Sequence, residues 1–90
     1  MSGLDFIIVM KFKGKVTGEA LRILNDLCEK PPAGFKPHGM YFTFGHYDVI
    51  WHVEAEDQMK VMEVAVKLSD FCSTETFPAI PRGEFMKRFG

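Results

Sequence analysis

The chain has 90 residues, a formal net charge of −1, and 47% hydrophobic against 26% charged residues. That length leaves room for one core, and that balance excludes a disordered tail, a collagenous repeat and a coiled coil. With 11 Lys and Arg against 12 Asp and Glu, no broad electrostatic drive points toward nucleic acid or an anionic membrane.

Phe6–Lys13 predicts a first strand. Phe6, Ile8, Met10 and Phe12 line one face; Ile7 and Val9 line the other until Lys11 and Lys13 take over. A strand apolar on both faces at its start is covered on both. Gly14 ends it, and Thr17 can cap a helix through its hydroxyl. Ala20, Leu21, Ile23, Leu24, Leu27 and Cys28 then recur at helical spacing. Pro31 and Pro32 stop that helix, and Pro31–His38 reads as a loop. Gly39–Phe44 is expected as a second strand and Val49–Ala55 as a third. Between them, Gly45 heads a tight connection that suits positive φ. The implied register sets Phe42 opposite Val49, Met40 opposite Trp51 and Phe44 opposite Tyr47. A slip of one residue would turn Trp51 to the polar face. Asp57 opens a second helix with a wide apolar stripe, including Val61, Val64 and Leu68. Ser73–Ile80 is a fourth strand, which Pro78 places at a sheet edge. Pro81–Gly90 is a tail whose Phe85, Met86 and Phe89 are spaced for one short helix. The expected division is a domain over 1–80 and a tail over 81–90.

The order β-α-β-β-α-β predicts an α+β fold, the ferredoxin-like plait: a four-stranded antiparallel sheet with both helices on one face. Phe6, Ile8, Met10, Phe12, Met40, Phe42, Val49 and Trp51 form the expected helix-facing core. The other face carries Ile7, Val9, Lys11, Tyr41, Thr43, Ile50, His52 and Glu54. It is too apolar for a solvated surface and too polar for a core, which suggests a subunit interface, a ligand site, or both.

The early apolar run Phe6–Met10 is too short for a membrane span of about 20 residues, and no basic segment precedes it. A cytoplasmic protein is the expectation, with no membrane and no nucleic acid among its partners. Cys28 and Cys72 make no Cys-x-x-Cys pair and read as small apolar residues. On antiparallel helices of a plait they fall at opposite ends of the sheet, so no disulfide joins them.

Gly39-Met40-Tyr41-Phe42-Thr43-Phe44-Gly45-His46-Tyr47-Asp48-Val49-Ile50 resembles the GYD-domain family, named for a Gly-x-Tyr-Asp turn. Val53-Glu54-Ala55-Glu56-Asp57 and Ser73-Thr74-Glu75-Thr76-Phe77 are similar to it as well, so the resemblance covers roughly Gly39–Ile80. A similar hairpin occurs in the effector-binding domains of Lrp/AsnC transcription regulators. The resemblance carries over Gly45, Tyr47 and Asp48 as motif positions. It implies a dimeric α/β barrel built by sheet-to-sheet packing; the regulator cousins bind small ligands, often amino acids, near subunit interfaces. It implies no settled activity.

Among single residues, His52 is the most suggestive. It should share a face with Tyr41, Thr43 and Glu54, where an imidazole beside a carboxylate and a phenol can bind a polar ligand or move a proton. The plainer reading is a subunit hydrogen bond. Asp48 reads first as a turn residue bonding nearby backbone amides. His38, His46 and His52 are the only histidines, with His46 in the hairpin tip and away from His52, so no metal is expected. No cofactor is expected either, since there is no phosphate-cradling Gly-rich loop and no Gly-x-Ser-x-Gly turn. The aromatic residues would suit base stacking, but the Lys/Arg-Gly-aromatic strand of RNA-binding plaits is missing.

Three functions fit. The first is a small-molecule-binding or regulatory module acting as a homo-oligomer, with Tyr41, Thr43, His52 and Glu54 at the ligand. The second is a cofactor-independent dimeric α/β-barrel enzyme, a monooxygenase or isomerase, moving a proton through His52. The third is a structural assembly domain. The architecture hosts all three.

Overall fold

The computed structural model describes residues 3–90; the first two residues of the expected 1–80 domain lie outside the described residues. Alternating apolar side chains draw β1 (Leu4–Phe12) through the middle of the sheet, paired antiparallel with β3 (Val49–Ala55) on one side and β4 (Cys72–Ala79) on the other. β2 (Phe35–Phe42) pairs with the far edge of β3, giving the order β2-β3-β1-β4. Two crossovers built on α1 (Gly18–Glu29) and α2 (Gln58–Leu68) make this the expected α+β plait. Both prolines inside strands, Pro37 and Pro78, fall on the two edge strands, where a missing N–H is tolerated.

The helices begin where their caps dictate. Thr17 Oγ1 accepts from the Ala20 N–H at 3.1 Å, and Asp57 Oδ1 accepts from the Lys60 N–H at 3.1 Å. Both helices press on one face of the sheet. Leu24 and Leu27 from α1 and Val61, Val64 and Leu68 from α2 share one cluster with Phe6, Ile8, Met10, Val49, Trp51 and Val53. Phe35 meets Trp51 edge-on, with ring centroids 5.4 Å apart. A third helix, α3 (Arg82–Phe89), follows β4 and buries no residue.

The hairpin register is as expected, with Met40 opposite Trp51 and Phe42 opposite Val49. Several details differ. Residues Phe35–His38 belong to β2 rather than to the proline loop. Apolar Phe35 must reach the core, and Gly34, at φ +78°, turns the chain into the strand. The strands stop at Phe42 and Val49, so Phe44 and Tyr47 lie in a wider tip and Phe44 is fully exposed. Gly45 does not take positive φ; Gly14 and Gly34 do. A longer connection closes without the primed turn that a two-residue loop demands. Phe42, expected in the core, is 57% exposed, because it lines an open groove between β2 and α1 with Leu21, Leu24 and Met40.

The register also contains a break. Pro37 opposes Val53 and Gly39 opposes His52, which leaves His38 as an extra residue without a partner. Phe35 pairs at the level of Ala55 and Met40 at the level of Trp51, both core positions of β3. An odd separation of five residues cannot keep both on one face of a regular strand. The β-bulge at His38 absorbs the mismatch and re-aims that side chain.

Candidate functional site

The face of the sheet turned away from α1 and α2 carries the candidate site. Register sets its layers: Tyr41, Ile50, Val9 and Glu75 in one row, Gly39, His52, Ile7 and Phe77 in the next, and Lys36, Glu54, Asp5 and Ala79 in the third. Val9 is buried, Ile7 and Ile50 are half-buried, and Tyr41 and Phe77 are exposed.

Two histidine–carboxylate pairs lie in the lower rows. His52 Nε2 is 2.8 Å from Asp5 Oδ1, and His38 Nε2 is 2.9 Å from Glu54 Oε1. The two imidazoles stack, with centroids 4.6 Å apart and planes 18° from parallel. The bulge brings His38 over its neighbour, and the Tyr41 ring lies against Gly39, where a Cβ would come 3.1 Å from its hydroxyl oxygen. Glu54 is anchored at both oxygens, since its Oε2 accepts from the Gly3 N–H at 2.8 Å. That backbone bond, reinforced by His38, holds the Glu54 carboxyl below the ordinary carboxylate range.

Of the four expected ligand residues, His52 and Glu54 come together here. Tyr41 stands one row away, and Thr43 belongs to the hairpin tip, where its hydroxyl donates to the Tyr47 carbonyl. Asp5 and His38 are functional candidates that the sequence pattern did not single out. Asp5 precedes the alternating run of β1, and its role depends on the strand that lands beside it. His38 was legible through one signal: Phe35 and Met40 both ask for the core across an odd spacing, with Gly39 between them. His46 is not part of this cluster.

The Gly-x-Tyr-Asp tip is a clasp. The Asp48 carboxylate was expected to bond local amides; instead Oδ2 accepts from the Phe12 N–H of β1 at 2.8 Å. The Asp48 N–H donates to the Met10 carbonyl at 2.8 Å, and the Thr43 N–H donates to the Asp48 carbonyl at 2.9 Å. The reason is topological, because β3 lies directly beside β1 and Asp48 arrives where their backbone ladder ends. Tyr47 crosses β1 to donate to Glu75 Oε2 of β4 at 3.0 Å, and this bond raises the phenol above its ordinary pKa. The tip thus ties three strands together.

Both cysteines are free. Burial pushes the Cys72 thiol up to about 11, and burial also raises Cys28, so neither has the character of a thiolate nucleophile. No helix among the described residues is long and apolar enough to cross a membrane.

Fold and tip together define a plait whose central hairpin is clamped by an Asp–backbone and a Tyr–Glu bond and whose open face holds paired imidazoles. The GYD domain model matches residues 15–88, and the chain belongs to the GYD domain family. The match extends beyond the hairpin on both sides, from the turn after β1 through most of α3. No curated protein and no solved structure matches the chain.

Proposed function

We propose that this chain is a small-molecule-binding or regulatory module that works as a homodimer through the open face of its sheet. The observation that supports this reading is the make-up of that face. Ile7, Ile50, Tyr41 and Phe77 share it with two histidine–carboxylate pairs, and neither α1 nor α2 lies over it. A contiguous patch of that kind is more than a monomer usually leaves in water. A two-fold partner laid on it removes the apolar area and gathers Tyr41, His52 and Glu54 of both chains around one space. Each apolar side chain covered contributes about 1.5–3 kcal/mol, less the cost of association. Two unpaired thiols fit a reducing, cytoplasmic setting.

Light scattering on the wild type and Ile50→Asp tests the dimer. A dimeric wild type and a monomeric variant are expected, because a carboxylate at that position would be buried without a partner. A wild type that stays monomeric at micromolar concentration refutes the reading. A panel of amino acids in a thermal-shift assay then tests the ligand. Stabilisation lost in His52→Gln supports the module, whereas a dimer that responds to none of them favours a structural assembly domain.

One observation favours a second reading, that of an enzyme. Asp5 orients the His52 imidazole through a 2.8 Å bond, an arrangement that sets up a ring for proton transfer. Oxygen consumption with a panel of hydroquinones, abolished in His52→Gln while the dimer persists, would decide for it.

A further inference from the structure

We propose that Asp5, His38 and His52 bind one divalent transition-metal ion of the zinc class on the open face of the sheet. This site is complete within one chain and does not rest on the homodimer or on an organic ligand.

The three residues each present a ligand atom, a carboxylate oxygen or a ring nitrogen, and these atoms all lie within 4.8 Å of one another. Tetrahedral zinc with bonds of about 2.0–2.1 Å needs ligand atoms roughly 3.4 Å apart. The Asp5–His52 pair, at 2.8 Å, is already inside that spacing. His38 has to close the remainder. It can do so because it is the unpaired residue of a bulge on an edge strand, half open to solvent.

Charge points the same way. Two carboxylates, Asp5 and Glu54, flank the stacked rings. A divalent cation between these carboxylates would find opposite charge on both sides. Lys36, next to Glu54 in the register, is the one cation of that row. Glu54 is held by the Gly3 N–H and stands beside His38. It is therefore placed either to steer that ring or to supply a fourth ligand. Two imidazoles with a carboxylate suit zinc, copper, nickel or iron rather than magnesium or calcium, which prefer all-oxygen shells.

The sequence concealed this cluster because its members come from three strands. Metal-site spacing in sequence depends on ligands close along the chain. Here the sheet register brings Asp5 beside His52, and the bulge brings His38 above it.

The test uses the full chain without a polyhistidine tag, titrated with zinc alone against a chromophoric chelator. One zinc per chain is expected, with magnesium giving no signal. His38→Gln, His52→Gln and Asp5→Asn should each weaken binding at least about tenfold, and His46→Gln should leave it unchanged. Circular dichroism checks that each variant folds; should His52→Gln fail, the edge-strand variant His38→Gln decides alone. Cobalt in place of zinc should show d–d absorption without a thiolate charge-transfer band. No zinc binding, binding that survives His38→Gln, or a thiolate band from Cys28 overturns the site. Light scattering on the same samples separates this inference from the homodimer. A monomer that binds zinc refutes only the dimer, and a dimer that binds none refutes only the metal site.

Discussion

Trp51 and His52 are neighbours in β3, yet they belong to different surfaces. Trp51 is fully buried among side chains from α1, α2 and β1, and its indole Nε1–H has no hydrogen-bond partner. His52 is part-buried on the opposite face and has both a carboxylate and a stacked ring beside it. The covered face accepts an orphaned donor in exchange for tight apolar packing. The open face satisfies its polar groups and leaves apolar ones in water. The first surface holds the fold together, and the second is available for binding.

The sharpest way to break this contrast is to truncate both neighbours. Trp51→Ala should destabilise the fold by about 3–5 kcal/mol, the transfer and cavity cost of a large core side chain. His52→Ala should cost no more than about 1 kcal/mol, because its hydrogen bond to Asp5 is partly open to solvent. Urea unfolding of the two variants measures both, and equal losses would show that the open face is structural after all.

A middle-sized effect is expected at the hairpin tip. Asp48→Ala removes the acceptor of the Phe12 N–H and should cost about 1.5–3 kcal/mol, the range for a hydrogen bond to a charged group. Tyr47→Phe loses only an exposed bond to Glu75 and should cost clearly less than Asp48→Ala. Thermal melts of the pair rank them; the reverse order would mean that the Tyr–Glu bond, not the Asp clasp, secures the tip.

A last effect is one of pH. Cys72 titrates at about 11 in the folded chain, above the 9.0 of an unhindered thiol. A raised value means that the folded state keeps the proton longer than the unfolded state. The contribution is fully present below about 9 and is lost as pH climbs through about 11. Tyr47 is raised too and adds to the loss at the alkaline end. Urea midpoints across that window should fall more steeply for wild type than for Cys72→Ala. Identical slopes would place the thiol in contact with water.

Much of the fold was legible residue by residue. The alternation Phe6, Ile8, Met10 marks β1, Thr17 and Asp57 mark two helix starts, and the Trp51 register follows from which strand face is apolar. The site was legible only in part. His52 and Glu54 show as polar interruptions of a half-buried strand, but nothing near them in the chain names Asp5 as a partner. Local spacing also misled at Pro31–His38, where a turn-rich composition masks the first half of β2, and at Gly45, where a wider tip removes the need for positive φ.

The sequence by itself determined the elements, their order, and the face each apolar residue must seek. Those depend on periodicity and capping, which act over a few residues. Only the tertiary structure decided that Asp48 bonds a strand some three dozen residues away. It alone decided that a bulge lifts His38 onto His52 and that two carboxylates from different strands close around the pair. Such contacts depend on strand order and register, which emerge only when distant segments compete to bury one core.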